Sequence, residues 1–511
     1  MNFVPASGLR ESEAAAIADH PGLGLEMMTR AGKGLAGLLA RWLRQLEPPH
    51  PAVRFLAGPG NNGGDAFTAA AVLDAMGIAA EVWLAVPADK LRGDARAAFD
   101  RLAARNVPVR EIPKGQWEGA GQDAPDPAIL VDALLGTGAK GEPRGTIRQA
   151  VEYLGRMTDR CLIVAADIPT GMDAETGETA ACHVRADFTV TMECPKAGMA
   201  APEAIESLGS LWCVPVGLPA EAIAAVPDAR PDLQWISYGD VRRAFPRRAR
   251  VSHKGTYGTA GLIGGSAAYP GAIALAVEGA IRSGAGLVRV MTSSEAAGGV
   301  LARVPEAIVA GGLSADVDFG GLEAILAGPG LGRDPETRRL VARLLREAAC
   351  PLVLDADAIA VLAGKPEAIQ GSASPVILTP HPGELALLLG TDTAAIQRDR
   401  QAAAREAADR TGAIVVLKGA GTLVARAGEP AWLNLTGNPG MACGGSGDVL
   451  AGLLAGGLAQ GADPFQAACA AVWLHGTAGD IAALRQTQAA MKAGDLAECL
   501  PEAFRMSRIS G

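Results

Sequence analysis

The chain has 511 residues, 49% of them apolar and 20% charged, with 65 glycines and a formal net charge of −9. That length exceeds what one core normally holds, so two or three domains are expected. The acidic balance excludes a general nucleic-acid binder, which needs a basic face for phosphate, and glycines without a Gly-X-Y period exclude a collagen-like chain. Arg10, Glu11 and Glu13 come early and no basic segment precedes an apolar one, so no signal peptide is read. No apolar run reaches the about 18 residues that span a membrane. The longest, Val449 to Ala459, reads as a buried helix, and no membrane association is expected. Cys161, Cys182, Cys194, Cys213, Cys350, Cys443, Cys469 and Cys499 form no CxxC pair, which reads as reduced core thiols of a cytoplasmic protein.

In chain order, Glu11 to Leu46 reads as two amphipathic helices broken near His20-Pro21-Gly22. Strand-like runs follow at Val53 to Ala57, Ala80 to Val86, Ala128 to Val131, Cys161 to Ala166, Phe188 to Met192 and Leu211 to Val216. Alanine- and leucine-rich stretches separate the early ones, and that alternation predicts a parallel sheet with helices on both faces. Gly217 to Pro231 has little periodicity, and the arginine-rich run Arg242 to Arg250 reads as a solvated face. A boundary is placed between 220 and 235, giving domains 1–225 and 235–511. Beyond it, strand-like runs recur at Ala260 to Ile263, Leu287 to Met291, Ala324 to Ala327, Pro351 to Leu354, Val376 to Leu378 and Ile414 to Leu417. The fold class is α/β with two domains of one architecture class and no sequence repeat between them.

Three strand ends of the first half carry chemistry. "GPGNNGGDAF" (Gly58 to Phe67) follows the first strand and opens a helix. Ligands of open α/β sheets bind beyond the carboxyl ends of strands, and a helix N-terminus favours an anion such as phosphate. The pattern is not GxGxxG. The structural alternative is a tight turn with Asp65 as a helix cap. "VDALLGTGAKGEPRG" places Asp132 at a strand's lip, and "VAADIPTGMD" places Asp167 at another, with Thr170 behind it. Asn62, Asp132 and Thr170 then offer oxygen ligands suited to a hard cation, and Asp167 is a free acid or base.

These motifs, with "CPKAG" at Cys194 to Gly198, resemble the NAD(P)H-hydrate epimerase domain, whose loops read GxGNNGGDG, VDALFGTG and SxDIPSGxD. Ala66 stands for the family's last glycine of the first loop, and Thr170 for its serine. The resemblance covers most of residues 1 to 220 and implies a Rossmann-like three-layer α/β sandwich. It implies that Asn61, Asn62, Gly63, Gly64 and Asp65, with Gly136, Thr137, Gly138, Ala139, Lys140, Gly141 and Glu142, hold the hydrated nicotinamide nucleotide. Asn62, Asp132 and Thr170 would hold potassium (K+). Asp167 would contact the damaged ring and move the proton. Loss and return of the C6 hydroxyl, or ring opening and closure, would each scramble the centre, and each needs a positioned acid or base.

In the second half, "GNPGMACGGSGDVLAG" (Gly437 to Gly452) puts Gly444 to Asp448 at the start of a helix-like run. Its N–H groups would face a phosphate, and Asp448 is placed to take a proton from a hydroxyl. The alternative for the glycines is close helix packing. "VLKGAGTLV" sets Lys418 after a strand, and "LTPHPGELALLLG" sets His381 and Glu384 after another. "HKGTYGTAGLIGGSAAYPGA" and "LAGPGLGRD" add two loops of bare backbone, and no Walker A sequence is present.

The motifs HKGxxG, GPGLG, TPHxGE, KGAxT and NPGMATGGSGD, all in order here with Cys443 in place of a threonine, resemble the ADP-dependent NAD(P)H-hydrate dehydratases, a branch of the ribokinase-like kinases. Over roughly residues 235 to 505 this implies a ribokinase-like α/β domain. Lys418, Gly419, Ala420, Gly421, Thr422 and Gly447 would contact the adenine nucleotide. Ala267, Gly330, His381 and Asp448 would line the hydrate site, with Asp448 as the base. The C6 hydroxyl would be phosphorylated by ADP, with magnesium (Mg2+), and phosphate then eliminated. The two resemblances together imply repair of NADHX and NADPHX, the hydrates of NADH and NADPH, by a cytoplasmic homo-oligomer. The motifs, read physically, do not separate ADP from ATP. The rival reading is a small-alcohol or vitamin kinase with a fused nucleotide-binding regulatory domain.

Overall fold

Parallel strands covered on both faces bury most side chains, and the central strands of the two sheets are largely apolar. The computed structural model describes residues 1–46, 52–121, 125–245 and 248–508. The chain divides into one compact unit, Met1–Pro231, and a second that begins at Asp232.

The first unit holds β1 (Val53–Ala57), β2 (Ala80–Leu84), β3 (Val109–Glu111), β4 (Ile129–Ala133), β5 (Leu162–Ala166), β6 (Phe188–Met192) and β7 (Ser210–Val214). All seven are parallel, in the order β3-β2-β1-β4-β5-β6-β7. The expected runs form six of them, with ends shifted by one or two residues. The strand not expected is β3, an edge strand whose three residues are all exposed. The order reverses between β1 and β4, which opens a crevice beyond their carboxyl ends. The register sets Asp132 between Leu56 of β1 and Ala165 of β5, at that edge. The N-terminal segment forms the helices Ala6–Asp19 and Leu23–Leu43, broken at the predicted place by Gly22 at φ 99°.

The second unit holds β8 (Leu233–Trp235), β9 (Thr259–Ile263), β10 (Leu287–Met291), β11 (Ile308–Gly311), β12 (Ala324–Ala327), β13 (Leu352–Leu354), β14 (Val376–Leu378), β15 (Ile414–Leu417), β16 (Thr422–Ala425) and β17 (Ala431–Asn434). Their order is β11-β10-β9-β12-β13-β14-β15-β16-β17-β8. Only β16 runs antiparallel to its neighbours, and the order reverses between β9 and β12. Here β8, β11, β16 and β17 were not expected. All are short, and β11 is largely exposed.

Glycine in the helix Ser446–Ala459 serves close packing. A Cβ on Gly452 would lie 1.9 Å from the Ala276 carbonyl of the helix Pro270–Ser283. The helix Pro464–Gln486 corrects the expectation that no segment is long and apolar enough to cross a membrane. Its 23 residues pass on length and composition, but 89% of the apolar window is buried inside the fold. Thr477, His475 and Asp480 interrupt it, so it does not read as one apolar run. All eight cysteines are free thiols, as expected. Of the run 242–250, Pro246 and Arg247 lie outside the described residues, and Arg242, Arg243, Arg248 and Arg250 are exposed.

Candidate active sites

The helix Asn61–Ala75 starts directly beyond β1, so its first turn lies on the carboxyl edge. Asn61 is exposed, while Asn62, Gly63, Gly64 and Asp65 are buried. Asp65 is not a cap, because the helix begins four residues before it. Two glycines are required by contact. A Cβ on Gly58 would sit 1.8 Å from the Leu134 carbonyl oxygen, and one on Gly63 2.2 Å from that of Gly58. Ala66 is helical and fully buried, so its methyl costs no backbone strain.

From Asn62 a chain of hydrogen bonds crosses the three strand ends. Asn62 Nδ2 donates to the Leu135 carbonyl at 3.0 Å, and Leu135 N–H donates to Thr170 Oγ1 at 3.1 Å. The Thr170 hydroxyl and N–H donate to the two Asp132 oxygens at 2.8 and 2.7 Å. Burial pushes the Asp132 carboxyl up to about 6, against the pull of those Thr170 bonds. Asn62 Oδ1 is buried with no donor. A buried amide oxygen of that kind calls for a cation, a water or a ligand N–H.

Asp167 sits at φ 64°, held by its N–H to the Val190 carbonyl at 2.7 Å. Its Oδ1 accepts from Lys196 Nζ at 2.6 Å, and Lys196 is only 2% exposed. A Cβ placed on Gly136 would be 3.7 Å from Asp167 Oδ2 and 3.5 Å from Asn62 Cβ, so these three share one spot. Asp65 belongs to the same cluster. Burial raises its carboxyl well above the usual range, Asp167 and Glu13 add to that, and Lys196 opposes it. Glu13 is raised too, by burial first. Lys196 was quoted within "CPKAG" but given no role. A lysine flanked by buried residues was the available signal, since buried lysines need partners.

The rest of the second loop divides. Gly138, Lys140 and Gly141 are exposed, Ala139 is half-buried, and the Thr137 carbonyl accepts from Arg10 at 2.7 Å. Glu142 spends its carboxylate on the N–H groups of Ala181 and Cys182 and on Arg148, so it braces a neighbouring loop. A small cleft between this loop and Ile168–Met172 is lined by Leu135, Gly136, Ala139 and Thr170.

In the second unit the loops beyond β13, β14 and β15 converge on Lys418. Its Nζ donates to Asp355 Oδ1 at 2.8 Å and lies 3.8 Å from Glu384 Oε2. Thr379 Oγ1 donates to the same Asp355 oxygen at 2.8 Å. A Cβ on Gly447 would be 3.1 Å from Lys418 Nζ, which puts the ammonium at the start of the helix Ser446–Ala459. First-turn N–H groups there lack intrahelical partners. Asp448 is in that turn. Burial pushes its carboxyl up to about 7, with Asp355 and Glu384 raising it and Lys418 opposing. Burial lowers the Lys418 ammonium, but Asp355, Glu384 and Asp448 outweigh it and leave it raised.

An arginine, a threonine and a histidine shore up these loops. Arg400 donates to the carbonyls of Leu417, Lys418 and Gly421 at 3.2 to 3.4 Å, and Thr422 Oγ1 donates to that of Gly419 at 2.9 Å. Ala420 is exposed at the tip. His475, pushed down to about 4 by burial, lies 2.9 Å from the Ser446 carbonyl and 3.4 Å from its hydroxyl. None of Asp355, Arg400 and His475 was expected. Asp355 follows the strand-end rule that exposed Asp132 and Asp167, whereas Arg400 and His475 gain meaning only from packing.

His381 is exposed and uses Nδ1 to accept from Gly383 and Glu384 N–H at 3.0 and 3.2 Å, capping its own helix Pro382–Leu389. Across the β9/β12 reversal, Gly265 N–H donates to Pro329 O at 2.8 Å and Ser266 N–H to Gly330 O at 2.7 Å. A Cβ on Gly330 would lie 2.7 Å from Tyr269, whose side chain is exposed, and Ala267 follows Ser266 in the chain. His253 to Tyr257 precedes β9 and so lies at the opposite edge of the sheet. Among the described residues, no group of three or more His, Cys, Asp or Glu is arranged to hold a metal ion.

Comparison with known proteins finds relatives of both units. The family described as YjeF-related protein N-terminus matches residues 24–198, and that described as NAD(P)H-hydrate dehydratase matches residues 260–502. The bifunctional NAD(P)H-hydrate repair enzyme Nnr of Moorella thermoacetica is 34% identical over 99% of this chain and 97% of its own. Its namesake in Escherichia coli is 35% identical over 96% of this chain and 92% of its own. The ADP/ATP-dependent NAD(P)H-hydrate dehydratase of Bacillus subtilis, solved with ATP and Mg2+, is 36% identical. It aligns with 54% of this chain and 99% of its own, at a TM-score of 0.51. With relatives matched across both units at this identity, the chain belongs to the bifunctional NAD(P)H-hydrate repair enzymes.

Proposed function

We propose that the chain interconverts the R and S epimers of NADHX and NADPHX in its first unit. In its second it dehydrates the S epimer with ADP, giving AMP and phosphate. The observation that carries this reading is the meeting of Lys418, Gly447 and Asp448 at one helix start. An ammonium and free N–H groups there suit a phosphate, beside a carboxyl poised near 7. Asp448 takes the proton of the C6 hydroxyl as its oxygen attacks the terminal phosphorus of ADP, and AMP leaves. The ring nitrogen then expels phosphate while the neighbouring ring carbon loses a proton. Lys418 to Thr422 and Gly447 hold the nucleotide; Ala267, Gly330 and His381 hold the hydrate. Magnesium bound mainly to nucleotide phosphates and water needs no cage of side chains.

In the first unit Asp167 transfers the proton, beside a nucleotide held by Asn61 to Asp65 and by Gly136 and the loop after it. Asn62, Asp132 and Thr170 hold potassium. The orphaned Asn62 oxygen fits such a cation, which would supply fixed positive charge beside the phosphate. The same reading carries a cytoplasmic homo-oligomer, and the eight free thiols support a reducing compartment.

Absorbance of the dihydronicotinamide band tests the whole. Racemic NADH hydrate is mixed with protein, potassium, magnesium and either ADP or ATP. Full recovery with ADP is expected. Recovery that stops near half removes the epimerase, and a stable phosphorylated product in place of recovery would favour a kinase.

A further inference from the structure

We propose that Lys196 is a positioning residue for epimerisation, clamping one oxygen of Asp167 so that the other alone is presented to the hydrated ring. The proposal rests on the reading of Asp167 as the proton-transfer group. Each hydrogen of the Lys196 ammonium has one acceptor: Asp167 Oδ1 at 2.6 Å, Thr191 Oγ1 at 2.7 Å and the Met192 carbonyl at 2.9 Å. The lysine is 2% exposed, so it acts on the substrate only through Asp167. With Oδ1 taken, Oδ2 faces the position of Gly136, 3.7 Å from where a Cβ would be. A single fixed oxygen moves a proton along one line, which a freely turning carboxylate does not.

The segment that delivers Lys196 is built for this. Glu193, just beyond β6, is held at φ 61°. Its Oε2 accepts from the successive N–H groups of Val216, Gly217 and Leu218 at 2.8, 2.9 and 3.2 Å. On the other side, Val4 N–H donates to Pro195 O at 3.0 Å and Ala197 N–H to Val4 O at 2.8 Å. Lys196 therefore stands between two anchored turns, opposite a second left-handed residue, Asp167 at φ 64°. Strain of that kind, order 1–3 kcal/mol per residue, persists only where the surroundings overdetermine it.

The charges around the clamp give it a second consequence. Glu13 comes from the helix Ala6–Asp19 with Arg10, Asp65 from the helix Asn61–Ala75, and Glu193 from beyond β6. Lys196 is the buried cation among these carboxylates, and its loss leaves Asp167 Oδ1 without its ion partner.

The test compares K196M, K196R and D167N in exchange between the purified R and S epimers, with kcat, KM and the pH profile of kcat. K196M is expected to lose about 100-fold in kcat with KM little changed. K196R keeps the charge but moves it, so kcat falls about tenfold with KM little changed. A D167N variant that exchanges epimers at the wild-type rate would overturn the reading of Asp167 itself. If D167N is inactive while K196M keeps wild-type kcat and pH profile, the clamp alone is overturned. Should K196M fail to melt cooperatively, K196R decides, and wild-type kcat in it overturns the proposal.

Discussion

Asp167 and Asp448 both stand where the carboxyl edge of a sheet meets glycine-rich loops, but their neighbours differ in kind. Asp167 has a buried ammonium at 2.6 Å that, among the described residues, binds no other carboxylate. In the second unit one ammonium, Lys418, is divided between Asp355 at 2.8 Å and Glu384 at 3.8 Å, and Asp448 is left at about 7. The first arrangement holds a carboxylate in a fixed pose. The second spreads one cation over several carboxylates. A strand-end acid is therefore not one device: the cation beside it decides what it does.

The largest expected effect separates the two. D448N should lose about 10²–10⁴-fold in dehydration and leave epimer exchange intact, and D167N should do the reverse. Recovery of the dihydronicotinamide band from the pure S epimer and from the racemate reads both at once. Loss of both activities in either variant would break the comparison.

A pH profile sharpens it. With Asp448 in the proposed role of base, burial pushes its carboxyl up to about 7. The kcat/KM for dehydration should fall about tenfold per unit as pH drops below that point. An acid limb near 4 would mean that burial does not govern this carboxyl.

Removing the orphaned oxygen by N62A should lower epimer exchange several-fold and abolish its dependence on potassium, followed by titrating KCl against a choline background. An unchanged potassium response would place the cation elsewhere.

The smallest effect is on stability. An acid whose pKa is raised on folding binds its proton more tightly in the native state, so the wild type loses stability as pH rises from about 4 to 7. D448N lacks this penalty. It should melt like the wild type at pH 4 and a few degrees higher at pH 8, by calorimetry.

The central strands of both sheets were legible in the sequence because burial on both faces leaves a largely apolar run, unbroken in Ala324–Ala327. Strands β3 and β11 were hidden for the opposite reason: they are edges, largely exposed, and carry no such run. The hairpin of β16 and β17 begins at Thr422, inside a stretch that reads as a phosphate loop. In the sites, glycines and strand-end acids were legible by type and place. Their cause was only half legible, since Gly58 and Gly63 serve backbone approach. Lys196 and His475 sit inside runs of buried residues, where local sequence carries no sign of the partner opposite.

Strand β8 has a practical consequence for dissecting the protein. Residues Leu233–Trp235 pair with Ala431 to Leu433 and close the outer margin of the second sheet. The family match to the dehydratase begins only at residue 260. A fragment cut there strips β17 of its neighbour and uncovers a row of backbone donors and acceptors, the template on which sheets join between molecules. Such a fragment should run larger on a sizing column than one begun at Asp232.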